Sequence, residues 1–485
     1  MLDEFQDTGS ERLRKPFFLL ILVILAVACS LAIAVKGYVI GMLIIIMPVV
    51  AFVLIRIFKD PRFGLFLAFG FSFFAIGLSR YVTAIPFGLG IDAILVLVLI
   101  ALVLGRGRHL DWKPGWNDFT VVSLIWMGYT VMEIANPEAV SFTAWFYAMR
   151  GVAFYQILMI LIGFLILKDK KDLKVFLIIW FVISILGALK GIMQIKIGCD
   201  PWETAWLDAG GGITHRIQGK LRAFSFYSDA GQFGAAMGHV ALVAAIMAIG
   251  PGPMRRKWML WGIAFITIVG MLLSGTRGAI FVPAAGAMLY LALSKNIRVF
   301  IMGLLLLGSV YGFLRYTNIG NTNYQVFRLR TAVKPSQDRS FQVRLENQQK
   351  LKVYLAGKPL GGGIGSAGNW GMRFSPNTFL AQTPTDSWYV RIWAEMGVVG
   401  LILHLIILFY LLIRSCFIVW KLKDPLIRQI MAALTSGIFG IMLASYANGL
   451  YGQMPTGMII YLSYVFIFIS PSIEKSLHLH PGLSK

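Results

Sequence analysis

The chain has 485 residues, of which 58% are hydrophobic and 13% aromatic, and its mean hydropathy is +0.75. This composition excludes an ordinary water-soluble domain. The formal net charge of +22 raises the question of a nucleic-acid partner. We expect none, because the basic residues are concentrated in connections between apolar segments, as in a protein of the lipid bilayer.

Apolar segments long enough to cross a hydrocarbon layer of about 30 Å recur along the whole sequence. The first is full length and lacks a signal-peptidase cleavage site, so we expect it to be retained as an anchor. The pattern predicts an all-α polytopic membrane protein with about 14 transmembrane helices (12–14). The predicted spans are 17–35, 38–58, 63–79, 84–104, 118–134, 144–167, 174–194, 230–249, 258–273, 279–294, 298–315, 389–413, 426–446 and 456–470.

The short connections between these spans alternate between basic and nearly uncharged. Because basic connections stay in the cytoplasm, this alternation predicts that both termini are cytoplasmic. The chain is thereby divided into a transmembrane bundle at 1–315, a large external loop at 316–388, and three further spans with a cytoplasmic tail at 389–485. The bundle includes a second external loop at 195–229. The basic connections contain Arg12, Arg14, Lys15, Arg56, Lys59, Arg62, Arg106, Arg108, Lys113, Lys168, Lys170, Lys171, Lys174, Arg255, Arg256, Lys257, Lys295, Arg298, Arg414, Lys421, Lys423 and Arg428.

Basic residues also occur on the external side, where positive charge opposes the insertion bias. Arg222 and Arg277 lie close to hydrocarbon, where an unpaired guanidinium is costly, and this indicates an anion at the outer membrane surface. The alternative is that external arginines only reach lipid phosphates, and that Arg216 and Lys220 form a solvated loop face. The long loop contains Arg328, Arg330, Lys334, Arg339, Arg344, Lys350, Lys352, Lys358 and Arg373.

Several short patterns accompany these basic residues in a fixed order. The patterns are Leu221–Asp229, Ser274–Gly278, Arg344 with Lys358–Gly365, Pro384–Tyr389, and Trp393–Gly400. Their order, spacing and topology over residues 200–405 resemble the O-antigen ligase and O-antigen polymerase superfamily of bacterial inner-membrane glycosyltransferases.

The resemblance implies a GT-C-like architecture in the bacterial inner membrane, with a periplasmic loop of short helices that packs on the bundle and closes a cleft. The donor would be a glycan linked to undecaprenyl pyrophosphate. The acceptor would be a hydroxyl of lipid A-core, of a growing glycan or of a protein. We expect ligase-like transfer, with a polymerase of the same superfamily as one alternative. A transporter or flippase is the alternative from another class, although the sequence shows no internal repeat.

The resemblance also implies site residues. Arginines matching Arg222, Arg277 and Arg344 would bind the pyrophosphate. Ligases of this family have a His-Asn pair where this chain has Thr385 and Asp386. Asp386 is therefore the first candidate for the base that activates the acceptor, or both residues orient the acceptor.

Each candidate base has an alternative role. Asp386 is also suited to cap the helix that starts near Ser387, and Asp229 is similarly placed before the span at 230–249. His215 and His239 are further conceivable bases, although His239 lies inside a span and favours a structural role.

The chemistry of the leaving group argues against a metal. Negative charge develops on the departing pyrophosphate and needs either a divalent ion or guanidinium groups to stabilise it. The external segments contain no Asp-x-Asp and no histidine cluster, whereas arginine binds phosphate oxygens in a bidentate manner. We therefore expect metal-independent transfer without a cofactor.

The remaining candidates would bind the substrate. Gly363 and Gly365 let backbone N–H groups approach phosphate or sugar oxygens, with a tight turn as the alternative. Trp388 is a candidate for stacking on a sugar ring, as are Trp202, Trp206 and Trp370, although the membrane interface recruits tryptophan in any case. Arg216 and Arg391 complete the set. Glu395 is expected to hold the loop or an arginine in place.

Overall fold

The computed structural model describes residues 38–83, 86–106, 111–217, 219–320, 324–332 and 339–479, with isolated positions between 16 and 34. The first predicted span therefore lies largely outside the described residues, as do Arg12, Arg14, Lys15, Arg108 and Lys334.

Long apolar helices dominate the described part of the chain. Eleven of its helical segments are long and apolar enough to cross a membrane, and Arg277–Leu293 is a shorter apolar helix. This confirms the all-α polytopic fold, and each predicted span from 38–58 onward overlaps a helix. The apolar helices of the bundle are Tyr38–Lys59, Pro61–Leu78, Phe87–Arg106, Asp118–Met132, Phe142–Met149 continuing through Arg150–Phe154 into Tyr155–Ile166, Lys170–Lys196, Ala230–Ile249, Met254–Leu273, Phe281–Leu293, Ile297–Tyr316, Trp388–Lys421, Pro425–Ala444 and Thr456–Leu479.

Short elements fill the connections. Arg150–Phe154 and Leu207–Gly211 are π-helical, and Arg216–Ile217 pairs antiparallel with Lys220–Leu221. The other short helices are Lys113–Gly115, Glu133–Ala135, Pro201–Trp206, Gly212–His215, Arg277–Ile280, Tyr324–Ala332, Arg339–Tyr354, Gly368–Phe374 and Phe379–Gln382.

The helix Ala230–Ile249 lies at the centre of the bundle, and 89% of its most apolar 18-residue segment is buried. Small residues make this position possible, because they let neighbouring backbones approach closely. A Cβ added at Gly234 would collide with Ser274, and one added at Gly238 would lie 3.0 Å from the Met271 sulfur. Asp229 caps the beginning of this central helix, and its carboxylate accepts a hydrogen bond from the Gln232 N–H at 2.9 Å.

The connections that the sequence predicts to be external meet at one end of the bundle. Arg80 donates to the Ser225 carbonyl at 2.9 Å, and Arg222 donates to the Ser274 carbonyl at 3.1 Å. The Trp388 N–H donates to the Ser445 carbonyl at 2.9 Å. The basic connections meet at the other end. There Arg62 lies 3.4 Å from Asp172, and the Lys295 ammonium donates to the Trp420 carbonyl at 2.7 Å.

The long loop enters a break in the helix Trp388–Lys421. Gly397 has φ 66° and ψ −169°, so the helical hydrogen bonds are interrupted there. The loop replaces them, because the Gly362 N–H donates to the Ala394 carbonyl at 2.9 Å and the Val399 N–H donates to the Pro359 carbonyl at 3.3 Å. The break is therefore filled by protein backbone.

A small apolar core holds the rest of the loop against the same helix. Its members come from the loop helices and from the segment before the break. They are Leu351, Leu355, Ala367, Leu380, Val390 and Ala394.

Candidate functional site

The turn Ser274–Gly278 is fixed by its own hydroxyl groups. Gly275 has φ 57°, a left-handed conformation that glycine adopts without strain. The Thr276 N–H donates to the Ser274 hydroxyl at 3.1 Å, and the Thr276 hydroxyl donates to the Ala230 carbonyl at 2.8 Å. The turn is thereby tied to the first residue of the central helix. Arg277, which is half-buried, follows directly and opens the helix Arg277–Ile280.

Arg222 belongs to the pattern Leu221–Asp229 and is hydrogen-bonded to the turn Ser274–Gly278. Its Nε donates to the Ser274 carbonyl at 3.1 Å, and its Nη2 donates to the Thr276 hydroxyl at 2.6 Å. Its Nη1 donates to the Thr214 carbonyl at 2.9 Å. Arg222 therefore brings positive charge to the turn and also holds the turn in position.

Arg328 reaches the same turn from the long loop. Its Nε and Nη2 donate to the Gly275 carbonyl at 3.2 and 3.1 Å. Because Arg328 lies on the helix Tyr324–Ala332, this contact fastens the beginning of the long loop beside Arg277. The sequence placed Arg328 among several loop cations without distinguishing it, because only the folded chain shows which of them faces Gly275.

Asp386 and Arg344 form an ion pair at the end of the long loop, with 3.2 Å between the Asp386 Oδ2 and the Arg344 Nε. The Asp386 side chain is 52% exposed, and Thr385 beside it is half-buried. The alternative role of Asp386 as a helix cap is wrong. Ser387 occupies the cap position, and its hydroxyl accepts from the Val390 N–H. The carboxylate of Asp386 is therefore not engaged in capping.

Asn448 lies beside the turn that contains Arg277. A Cβ on Gly278 would lie 2.8 Å from the Asn448 Nδ2, and one on Gly231 would lie 3.3 Å from the Asn448 Oδ1. A Cβ on the neighbouring Gly449 would lie 4.0 Å from the backbone carbonyl oxygen of Asp386. Sequence reasoning missed Asn448, because it carries no charge and lies outside the patterns that marked the site.

Several predicted site residues lie at the same end of the bundle. Arg222 is hydrogen-bonded to Thr276, which precedes Arg277 and Gly278, and Asn448 lies beside Gly278. The backbone of Asp386, whose side chain pairs with Arg344, lies near Gly449. The region also contains the N-terminal ends of the helices Ala230–Ile249 and Arg277–Leu293. Helix N-termini carry partial positive charge, which adds to that of the guanidinium groups.

Gly363 and Gly365 are buried against the protein's own backbone. Both have positive φ, at 86° and 84°. A Cβ on Gly363 would lie 2.7 Å from the Ala139 Cα, and one on Gly365 would lie 2.5 Å from the Ala144 carbonyl oxygen. Gly363 thus approaches the connection between the fifth and sixth predicted spans, and Gly365 approaches the start of the sixth span. This environment favours a role for Gly363 and Gly365 in a tight turn over direct contact with a ligand.

Two further predicted residues lie on the helix that follows Asp386. Trp388 is buried, and its Nε1 donates to the His404 Nε2 at 2.9 Å, a geometry that favours packing over contact with a sugar. Arg391 pairs with the fully buried Glu395 at 3.0 Å, which confirms the predicted role of Glu395 in holding an arginine. The last predicted binding residue, Arg216, forms an exposed ion pair with Asp208 at 2.7 Å.

His215 and His239, the two histidines considered as bases, are both buried and contact other groups of the protein. His215 is buried; its Nδ1 lies 2.8 Å from the Gly211 carbonyl oxygen, and its Nε2 accepts from the Ala230 N–H at 3.2 Å. Burial lowers the pKa of His215 below its ordinary value, which favours the neutral ring that the Nε2 needs in order to accept from the Ala230 N–H. His239 is enclosed in the bundle, with its ring centroid 4.8 Å from that of Trp180.

Among the described residues, no group of three or more His, Cys, Asp or Glu side chains is arranged to hold a metal ion. The cations of the site are guanidinium groups.

Residues 262–405 match the family model described as O-Antigen ligase. The matched segment contains Arg277, Arg328, Arg344 and Asp386, and Arg222 precedes it. No curated protein matches the chain.

Proposed function

We propose, from the premise that residues 262–405 belong to the O-antigen ligase and polymerase superfamily, that this chain is a ligase-like glycosyltransferase of the bacterial inner membrane. It transfers a glycan from undecaprenyl pyrophosphate to an acceptor hydroxyl on the periplasmic face. The observation that supports the proposal is that the arginine turn, held by Arg222, and the ion pair between Arg344 and Asp386 lie at the same end of the bundle.

The reaction separates a sugar from a diphosphate. The acceptor oxygen forms a bond to the anomeric carbon as the bond from that carbon to the phosphate oxygen breaks, and the electron pair leaves with the pyrophosphate. Arg277 and Arg344 bind the departing charge, while Arg222 and Arg328 hold the turn that presents Arg277. Preorganised cations of this kind stabilise the transition state because they need not reorient as charge develops.

The proton of the acceptor hydroxyl passes to Asp386. The carboxylate is exposed to an entering substrate, and Arg344 fixes its orientation through the 3.2 Å ion pair. Thr385, which is half-buried beside it, orients the acceptor. General base catalysis of this kind contributes about 10²–10⁴-fold to the rate.

The guanidinium groups make a divalent ion unnecessary in this scheme. Arginine supplies fixed charge together with directed N–H donors, so it neutralises a diphosphate without metal coordination. Transfer should therefore proceed in the presence of EDTA.

A flippase is less well supported than an enzyme. The broken helices of transporters line a cavity at the middle of the membrane. The break at Gly397 is instead filled by Pro359 and Gly362 of the long loop. A polymerase of the same superfamily remains the alternative within the enzyme class, and it differs only in its acceptor.

The test uses the full-length protein purified into nanodiscs with a glycan linked to undecaprenyl pyrophosphate. We expect transfer to a lipid A-core acceptor with release of undecaprenyl pyrophosphate, and no loss of rate in EDTA. Transfer only to a second lipid-linked glycan would identify a polymerase. Translocation of the donor across proteoliposomes without cleavage would contradict the proposal, and a strict requirement for added divalent ion would contradict its metal-free form.

A further inference from the structure

Asn448 lies in the connection between the helices Pro425–Ala444 and Thr456–Leu479, beside the turn that contains Arg277. Its backbone is fixed by that connection, because the Asn448 N–H donates to the Ala444 carbonyl at 3.2 Å and the Leu450 N–H donates to the Asn448 carbonyl at 2.9 Å. The Asn448 side chain is half-buried. The carboxamide is therefore held at a defined place and is still accessible from outside the protein.

Two glycines leave room for this carboxamide. A Cβ on Gly278 would approach the Asn448 Nδ2 to 2.8 Å, which is closer than unbonded atoms pack, so a side chain at position 278 would displace the amide. On the other side, a Cβ on Gly231 would lie 3.3 Å from the Oδ1. Because Gly278 directly follows Arg277, the Nδ2 lies against the backbone that presents this arginine.

The Asn448 carboxamide differs from other amides that pack at this end of the bundle. The Asn136 Nδ2 donates to the Leu360 carbonyl at 2.9 Å, and the Gln194 Nε2 donates to the Glu203 carboxylate at 2.9 Å. Among the described residues, by contrast, none accepts a hydrogen bond from the Asn448 Nδ2. Polar groups that are partly removed from water are normally paired, so an amide without a protein partner is available to a ligand.

The connection 445–455 also approaches the segment that carries the proposed base. A Cβ on Gly449 would lie 4.0 Å from the Asp386 carbonyl oxygen, and the Trp388 N–H donates to the Ser445 carbonyl at 2.9 Å. The connection that carries Asn448 therefore contacts both the turn that presents Arg277 and the segment 386–388.

An amide N–H is suited to the leaving group of the proposed reaction. As the bond between the anomeric carbon and the phosphate oxygen breaks, its electron pair passes to the diphosphate. A hydrogen bond to that group becomes stronger as the negative charge grows, so it stabilises the transition state more than the bound substrate. A neutral amide supplies this donor beside Arg277 without a second positive charge that would repel the guanidinium.

We propose that the Asn448 Nδ2 donates a hydrogen bond to the departing diphosphate, beside Arg277. The inference rests on the proposed transferase function and adds to it a residue that contacts the substrate. Asn448 lies outside residues 262–405, the segment that matches the family model.

The test measures the affinity of the full-length purified protein for undecaprenyl pyrophosphate by microscale thermophoresis. Asn448→Ala removes the donor and should weaken binding by about tenfold. Asn448→Asp keeps the shape but brings a carboxylate to the diphosphate, so binding should weaken by about a hundredfold. Neither change should lower the thermal midpoint appreciably, because the amide has no protein partner to lose. The matched control is Asn377→Asp, at an exposed asparagine of the long loop, which should not change the affinity.

Undecaprenol, which lacks the diphosphate, separates contact with the ligand from a general effect on the fold. Its affinity should be the same for the wild-type protein and for both Asn448 variants. Three results would overturn the inference. The first is a wild-type affinity of Asn448→Ala for undecaprenyl pyrophosphate, and the second is a loss for Asn448→Asp no larger than that for Asn448→Ala. The third is an equal loss of affinity for undecaprenol.

Arg277→Ala, measured in the same assay, separates this inference from the proposed function. If Arg277→Ala loses undecaprenyl pyrophosphate while both Asn448 variants keep it, Asn448 is not a contact of the diphosphate and the transferase proposal stands. If all three variants bind like the wild-type protein, the anion site of the proposed function fails together with the inference.

Discussion

The two external loops use their polar residues differently. Around 195–229, Arg80 and Lys190 bind groups of the protein itself, although Arg216 forms an exposed ion pair with Asp208. Arg80 donates to the carbonyls of Ser225, Tyr227 and Ser228, while Lys190 lies 3.2 Å from Asp200 and 3.1 Å from Glu203. In the long loop, by contrast, Arg344 forms an ion pair whose aspartate is 52% exposed.

This difference distinguishes a region that supports the structure from a region whose side chains are accessible to a ligand. Buried polar groups that are satisfied by hydrogen bonds make a region rigid and costly to alter. Exposed ion pairs add about 0–1 kcal/mol to stability, so they can be rearranged around a ligand at little cost. The first loop therefore positions Arg222, and we expect the long loop to supply groups that contact the substrates. Four substitutions sharpen or break this comparison.

The largest effect should come from Arg277→Ala. Losing a preorganised cation at the pyrophosphate should lower kcat/KM for transfer by about a thousandfold. Lys350→Ala, which removes an exposed cation of the long loop, is the matched control and should leave the rate unchanged. Equal activity in both variants, with both proteins folded, would remove Arg277 from the anion site.

Gly397→Ala should destabilise the docking of the long loop. A Cβ at Gly397 would overlap the Pro359 carbonyl, and its φ of 66° strains any other residue. We expect a loss of about 3 kcal/mol or more, read as a lower thermal midpoint in detergent. Gly357→Ala has a similar φ of 84° but open space, so it should cost only the backbone strain. Equal midpoints for the two variants would contradict the inserted-loop packing.

Asp386→Asn tests the proposed base. The amide keeps the shape but cannot accept the proton, so kcat should fall by about a hundredfold while the KM for the lipid-linked donor stays constant. Steady-state kinetics with purified protein measures both. A wild-type rate in this variant would show that Asp386 is not the base, and it would not bear on the arginine site.

The smallest effect concerns pH. Burial lowers the pKa of His215, so the unfolded chain binds its proton more readily than the folded chain does. The stability that depends on the neutral ring is therefore present above the unfolded pKa of about 6.5, and it is lost as pH falls through the folded pKa. His215→Gln should flatten the dependence of the thermal midpoint on acidification. An unchanged dependence of the thermal midpoint on pH would mean that groups other than His215 determine the acid sensitivity of the fold.

Much of the fold was predictable from the sequence because its determinants are local. Apolar length and the alternation of basic connections gave spans that overlap every long helix from Tyr38–Lys59 onward. The break at Gly397 was not predictable, since it depends on Pro359 and Gly362 arriving from a distant segment.

The residues of the proposed site were predictable only in part. Arg222 and Arg277 become candidates through positive charge on the disfavoured side, and Arg344 and Asp386 through the family resemblance. Asn448 and Arg328 depend on contacts between separate connections, which no local pattern encodes. Trp388 shows that residue type alone can also mislead. Tryptophan suggested a contact with a sugar, whereas the side chain is hydrogen-bonded to His404 inside the bundle.

The most direct test of the central claim is an electron cryo-microscopy structure with undecaprenyl pyrophosphate bound. The account predicts diphosphate density within about 4 Å of the Arg277 guanidinium, beside the turn Ser274–Gly278 and facing Asp386. Density at the opposite end of the bundle, near Arg62 or Lys295, would contradict it.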